Sequence, residues 1–308
     1  MEKALIQWLQ QQFGATRFAT VGIGDDCAVL PRTDREWVVT CDAICEGVHF
    51  HSSQLSLQDI GRKALAINLS DLASMGAHAK TALVSLALPR SSHLDDAKKL
   101  FTGMAALAAK YDVEIVGGDT VTWDQGLVIS ITAMGTAPST GAWLISNAKP
   151  GDQILVTGDL GGSILLQHAL FEPRLAFAQQ WSEADGIIRA CTDISDSLGV
   201  DLTKMAKASG VGFEIDLQSV PIAADAYVLA KTSQRTALQH AISDGEDFEL
   251  IIVVAPEAVD KILSETKDIP LTRIGEFTES TEWLAKRAGV SEVFQPVGYE
   301  HSMGDDSE

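Results

Sequence analysis

Gly22-Ile23-Gly24-Asp25-Asp26-Cys27 sets two glycines against two adjacent carboxylates, directly after a short apolar entry at 19–21. Asp and Gly are poor strand interiors, so the stretch reads as a loop at a strand end. The same pattern, an acid beside small residues at the mouth of an apolar run, returns at Thr40-Cys41-Asp42, Asn68-Leu69-Ser70-Asp71, Gly117-Gly118-Asp119-Thr120, Asp193-Ile194-Ser195-Asp196 and Asp244-Gly245-Glu246-Asp247. Around these ends, period-3.6 apolar spacing predicts helices over 3–13, 57–75 and 94–111, the second capped by Ser56. Strands are expected at 37–40, 81–88, 113–116 and 127–135. The fold class that follows is α+β, built of α/β layers.

The turn Lys149-Pro150-Gly151-Asp152 marks a boundary, giving an N-terminal domain over 1–145 and a C-terminal domain over 146–308. In the second domain strands are predicted at 153–156, 213–217 and 248–254, and helices at 164–171, 181–189, 198–208 and 256–266. The acidic tail at 303–308 is expected to be disordered.

A chain of 308 residues, 46% hydrophobic, can bury two ordinary cores. Its net charge of −19 argues against nucleic acid and anionic membrane as partners, because both are bound through basic patches. Neither a basic leader with an apolar core nor a membrane-length apolar run is present, so a cytoplasmic protein is expected. Cys27, Cys41, Cys45 and Cys191 lack zinc-site spacing and read as reduced thiols.

Gly158-Asp159-Leu160-Gly161-Gly162-Ser163 is glycine-rich between strand and helix, but it has no P-loop lysine. A tight turn and an anion site are both open readings of it. If the chain handles phosphates, metal ions must supply the positive charge. Mg²⁺ takes hard oxygen ligands, usually one or two carboxylates with water and substrate phosphate at each site. Asp26, Asp42, Asp71, Asp119, Asp193 and Asp196 are the candidates. Any one alone reads as a turn-forming or capping Asp, whereas the set is poorly explained that way. His49 alone reads as structural, and Glu246 and Asp247 as turn caps or substrate-facing acids.

The motifs at 22–28, 42–50, 63–77, 117–120, 149–158, 193–196 and 245–250, in that order, resemble those of thiamine-monophosphate kinases, within the aminoimidazole ribonucleotide synthetase-like superfamily. The resemblance implies a two-domain fold, an N-terminal mixed sheet with helices followed by a C-terminal α/β sandwich. It also implies a homodimer in which N-terminal sheets pair, with nucleotide in the cleft. The implied reaction is Mg²⁺-dependent phosphorylation of thiamine monophosphate by ATP to thiamine diphosphate. Carried over by motif, Asp26, Thr40, Asp42, Asp71, Asp119, Asp193 and Asp196 would ligate Mg²⁺, with Cys41 where the family commonly has a hydroxyl. Tyr111, Gly118, Asp119 and Ser195 would contact ATP; His49, Glu246 and Tyr299 would contact thiamine monophosphate. Three positions depart from the pattern: Ile145 stands near a family arginine, Ser197 for a glycine, and Asp244 for a glycine. These leave two alternatives, a nucleotide- or metal-binding relative without kinase activity, and another ATP-dependent small-molecule enzyme of the superfamily.

Overall fold

The helix expected at 57–75 runs over Leu57–Ser74 and is buried on nearly every side. This computed structural model describes residues 2–23, 27–184 and 186–299. The chain folds as two units, one comprising Met1–Ala142 with Ala169–Ala184, the other Trp143–His168 with Asp185–Glu308.

In the first unit the elements run α1 (Glu2–Phe13), β1 (Trp37–Cys45), α2 (Leu57–Ser74), β2 (His78–Pro89), α3 (Leu94–Tyr111), β3 (Glu114–Trp123) and β4 (Val128–Thr136). The strands form a mixed sheet in the order β1-β4-β2-β3, with only β2 and β3 parallel. Ser56 caps α2, its hydroxyl accepting from the Asp59 amide at 3.1 Å. α2 lies on one face of the sheet, and α3 packs behind it. That crossing requires glycine twice: a Cβ on Gly61 would sit 2.0 Å from the Leu100 carbonyl oxygen, and one on Gly103 would sit 1.9 Å from that of Gln58.

The other face of the sheet is open. Val39 and Cys41 on β1, and Val121 and Trp123 on β3, are exposed there.

The chain then forms β5 (Gln153–Thr157), a single turn α4 (Gln167–Leu170), and α5 (Leu175–Trp181), which packs on α2 in the first unit. Arg62 of α2 docks the returning segment, donating to the carbonyls of Ala169 (3.2 Å) and Phe171 (2.7 Å). Glu183 closes its far end: it accepts from Arg35 at 2.6 Å, lies 3.1 Å from the His78 ring, and accepts from the Ser139 hydroxyl. These partners, Ser139 first, hold its carboxyl down at about 2.

The second unit continues with β6 (Ile188–Asp193), α6 (Leu198–Ser209), β7 (Gly212–Asp216), α7 (Ala224–Leu229), α8 (Ala237–Ser243), β8 (Leu250–Val254), α9 (Val259–Glu265), β9 (Leu271–Thr278), β10 (Trp283–Arg287) and β11 (Val290–Val293). Its seven strands order as β11-β10-β7-β9-β5-β8-β6. β5 and β8 are buried throughout, and Val156, Ile194, Leu202, Met205, Phe213 and Ile251 belong to one core.

Several elements differ from expectation. The predicted helix at 164–171 shrinks to one turn because Leu166 is left-handed (φ 84°), and Ile164, Leu165 and Leu166 stand exposed, so the apolar residues before that turn are not packed. No helix spans 181–189: α5 ends at Trp181, Gly186 turns with φ 71°, and Ile188 opens a strand. The strand expected to stop at 116 runs on through Gly117-Gly118-Asp119 to Trp123. The expected disordered tail at 303–308 lies outside the described residues, as do Asp25 and Asp26.

Candidate active site

Two constellations of predicted site residues form, one in each unit. In the first, β1 places alternate side chains on opposite faces. Thr40 points to α2 and donates its hydroxyl to the Asp71 carboxylate in that helix's last turn, where no basic side chain offsets the helix dipole. Asp42, two residues on, shares that face. Its amide donates to the buried Asn68 Oδ1 at 3.2 Å, and Asn68 Nδ2 donates to the Ala64 carbonyl at 3.0 Å. Asn68 thus ties strand to helix behind the acids, a role that its place in the sequence motif did not reveal.

Cys41 faces the other way, with its Sγ 3.5 Å from Ser130 Oγ. Asp119 lies on that outer face too, since it pairs with Ser85, which pairs with Ser130, which pairs with Ala43. β1 and β3 are opposite edges of the sheet. Three strand spacings, roughly 14 Å, therefore separate the Cys41 edge from the Asp119 edge. Thr40, Asp42 and Asp71 come together within the chain, and Asp119 does not join them.

His49 Nδ1 accepts from the Cys45 amide at 3.1 Å, which leaves Nε2 to carry the proton in the neutral ring. Its carbonyl accepts from Lys63 Nζ at 2.7 Å, and Lys63 is fully buried in α2. Gly118 has φ 150° and no room for a Cβ, which would lie 1.9 Å from the Val84 carbonyl oxygen. Tyr111 ends α3, its hydroxyl bonded to Glu172 and, at 3.2 Å, to the Pro173 carbonyl. Lys110 (2.7 Å) and Arg62 (3.2 Å) also hold Glu172.

In the second unit, Asp193 ends β6 and is buried, and the loop 194–197 leads into α6. Backbone bonds bring three distant predictions together here. The Glu246 amide donates to the Ser195 carbonyl at 2.8 Å, and the Tyr299 amide donates to the Asp196 carbonyl at 3.1 Å. Glu246 itself is left-handed (φ 60°), a conformation that costs energy and is held by its surroundings. His168 Nδ1 lies 3.4 Å from its carboxylate.

Asp201 organises the loop. One of its oxygens accepts from the amides of Ser195 (3.0 Å), Asp196 (3.0 Å) and Ser197 (3.2 Å). Burial pushes its carboxyl up, against the pull of Lys204 and these amides. Lys204 Nζ donates to the other Asp201 oxygen at 2.9 Å and to Asp196 Oδ2 at 2.5 Å. Neither residue was a sequence candidate, although an acid in the first turn of a helix behind Ser197 is a readable capping signal. Ser197, where the family pattern has glycine, caps α6 by accepting from the Val200 amide (3.1 Å) and donates to the Val297 carbonyl (2.9 Å).

The two readings of the glycine-rich stretch at 158–163 are resolved by its amides. Gly161 donates to both Asp247 oxygens (3.0 and 3.1 Å) and Gly162 to Asp244 Oδ2 (3.3 Å). The stretch is a tight turn bracing the loop that carries Glu246, with burial pushing Asp247 well above the usual carboxylate range.

Two α+β units in sequence, with acids gathered at strand ends, define a class. AIR synthase related protein, N-terminal domain, matches residues 24–137 and AIR synthase related protein, C-terminal domain, matches 149–283, and the chain belongs to that family. A thiamine-monophosphate kinase of Rhodopirellula baltica is 41% identical over 99% of this chain and 98% of its own. The crystal structure of a thiamine-monophosphate kinase from Stenotrophomonas maltophilia covers 93% of this chain and 97% of its own, at 32% identity and a TM-score of 0.79. AaThiL complexed with AMPPCP and TMP is 25% identical with a TM-score of 0.76, covering 98% of this chain and 97% of its own. Within the AIR synthase-related proteins, the chain belongs to the thiamine-monophosphate kinases.

Proposed function

We infer that this chain transfers the γ-phosphoryl group of ATP to the phosphate of thiamine monophosphate, giving thiamine diphosphate and ADP. The observation that carries the reading is the set Thr40, Asp42 and Asp71, hard oxygens fixed against a buried helix. It occurs in a chain whose glycine-rich turn spends its amides on its own carboxylates.

The donor set fits Mg²⁺. Thr40, Asp42, Asp71, Asp193 and Asp196 offer oxygen alone, and Cys41 is the one soft atom among the assigned ligands. Among the described residues, no three His, Cys, Asp or Glu side chains already form a cage. Mg²⁺ ordinarily completes its shell with water and substrate phosphates. When bound, Mg²⁺ supplies the positive charge that the transferred phosphoryl group requires. The chain's own part is positioning: α2 and Asn68 fix Asp42, β6 carries Asp193, and Asp201 fixes the loop carrying Ser195 and Asp196. Tyr111, Gly118, Asp119 and Ser195 are assigned to ATP, and His49, Glu246 and Tyr299 to thiamine monophosphate. The Cys45 amide on Nδ1 fixes the orientation of the His49 ring.

We place a second copy of the chain on the open face of the first-unit sheet. Pairing there would cover Val39, Val121 and Trp123. It would also bring side chains of the second copy against Asp119, which lies on that face. No helix among the described residues is long and apolar enough to cross a membrane. The cytoplasm, where ATP is made and thiols stay reduced, suits four cysteines that are all free.

The test is direct: purified protein with Mg²⁺, ATP and thiamine monophosphate, with thiamine diphosphate and ADP quantified. Equal formation of both supports the reading. ATP binding without either product would replace it with that of a non-catalytic relative.

A further inference from the structure

We propose that Lys204 is the resident counter-cation of the second-unit acid loop, yielding Asp196 to a divalent ion so that ammonium and metal are alternative partners of one carboxylate. The inference rests on the assignment of Asp196 as a metal ligand.

Asp201 and Asp196 differ in how they hold the lysine. Asp201 is 2% exposed and spends one oxygen on three loop amides, so its bond to Lys204 cannot be replaced by water at the surface. Asp196 has a side chain 36% exposed, and that of Lys204 is 51% exposed. A pair so open to solvent is weak and exchanges readily. Lysine suits the exchange because its ammonium carries three donors on a flexible stem, so it can leave Asp196 and keep Asp201. A divalent ion arriving at Asp196 meets a positive charge already 2.5 Å from Oδ2, and like charges that close disfavour each other. Lys204 therefore keeps the loop charge-balanced and ordered before substrate arrives, at the expense of affinity for one ion. It is a positioning residue, acting through Asp196.

The test is direct binding of Mn²⁺, followed by the electron paramagnetic resonance of the free ion, to the nucleotide-free full chain. Asp196→Asn should lose one bound ion. Lys204→Gln should bind that same ion about five-fold or more tightly than the unaltered chain. Should Lys204→Gln fold poorly, the charge-balanced pair Asp201→Asn with Lys204→Gln leaves no buried carboxylate unpaired and is held to the same criterion. Unchanged or weaker binding after loss of the lysine, with the ion still lost in Asp196→Asn, overturns the proposal and leaves the ligand assignment standing. An Asp196→Asn chain that binds as many ions as the unaltered one removes the assignment, and the proposal with it.

Discussion

The hydroxyl of Thr40 on β1 donates a hydrogen bond to the carboxylate of Asp71 in the last turn of α2. An acid at a helix C-terminus is electrostatically misplaced, and here a neutral hydroxyl from the neighbouring strand is one of its partners. Strand and helix are thus joined at the point where their acids must cooperate. Asp42 sits two residues along the same strand face, with its backbone pinned by Asn68.

Asp42→Asn keeps the shape of the side chain and removes its charge. Turnover should fall roughly a hundred-fold or more, because fixed charge of this kind acts on the developing transition state. Urea unfolding should shift by no more than about 0.5 kcal/mol, since the substitution relieves repulsion among the acids. Steady-state kinetics beside a denaturation curve checks both. A rate at the unaltered level would take Asp42 out of the site.

Gly61→Ala tests the helix crossing. Its Cβ would collide with the Leu100 carbonyl oxygen, a backbone atom that cannot swing aside. Prising α2 from α3 should cost about 3 kcal/mol, at the upper end of overpacking penalties. Chemical denaturation measures it, and a variant as stable as the unaltered chain would show that the crossing tolerates bulk.

Glu183 predicts an acid limb. Its folded-state value of about 2 lies below the ordinary 4.5, so its stabilising contribution is complete above pH 4.5 and lost as pH falls toward 2. With Glu183→Gln, the stability-against-pH curve should lose part of its slope within that window and keep its shape above it. Parallel slopes for both chains would assign the acid sensitivity elsewhere.

Ile145 lies half-exposed in a short 3₁₀ turn at 145–147, where its carbonyl accepts from Ser209 Oγ at 3.0 Å. Ile145→Arg restores the family's charge next to that turn. A charge-assisted bond to nucleotide phosphate is worth about 1.5–3 kcal/mol, so the KM for ATP should fall roughly ten-fold or more. An unchanged KM would mean that another cation already fills the role.

The first unit was largely legible because the apolar residues of α2 and α3 recur at helical spacing, and Ser56 announces the cap of α2. The second was less so. β11 is exposed throughout and offers no apolar alternation, and the turn joining it to β10 uses Ala288-Gly289, both left-handed, in place of the Asn-Gly that marks such hairpins. Among the site residues, the acids at strand ends could be read as a set, while their grouping could not. Whether Asp119 shares a face with Asp42 depends on register, which three neighbouring strands settle together. Asp201 and Lys204 escaped notice because a helical acid and a lysine three residues later look like ordinary surface pairing until burial is known.

The return of Ala169–Ala184 to the first unit makes the two halves inseparable as gene fragments. A piece starting at Trp143 would carry Leu175, Phe177 and Trp181 away from the helix that buries them, presenting a sticky amphipathic segment to its neighbours. A piece ending at Ala142 would uncover the matching side of α2. Shuffling halves between relatives at the obvious linker should yield aggregating chimaeras, whereas exchange that moves 169–184 together with the N-terminal portion keeps each core whole.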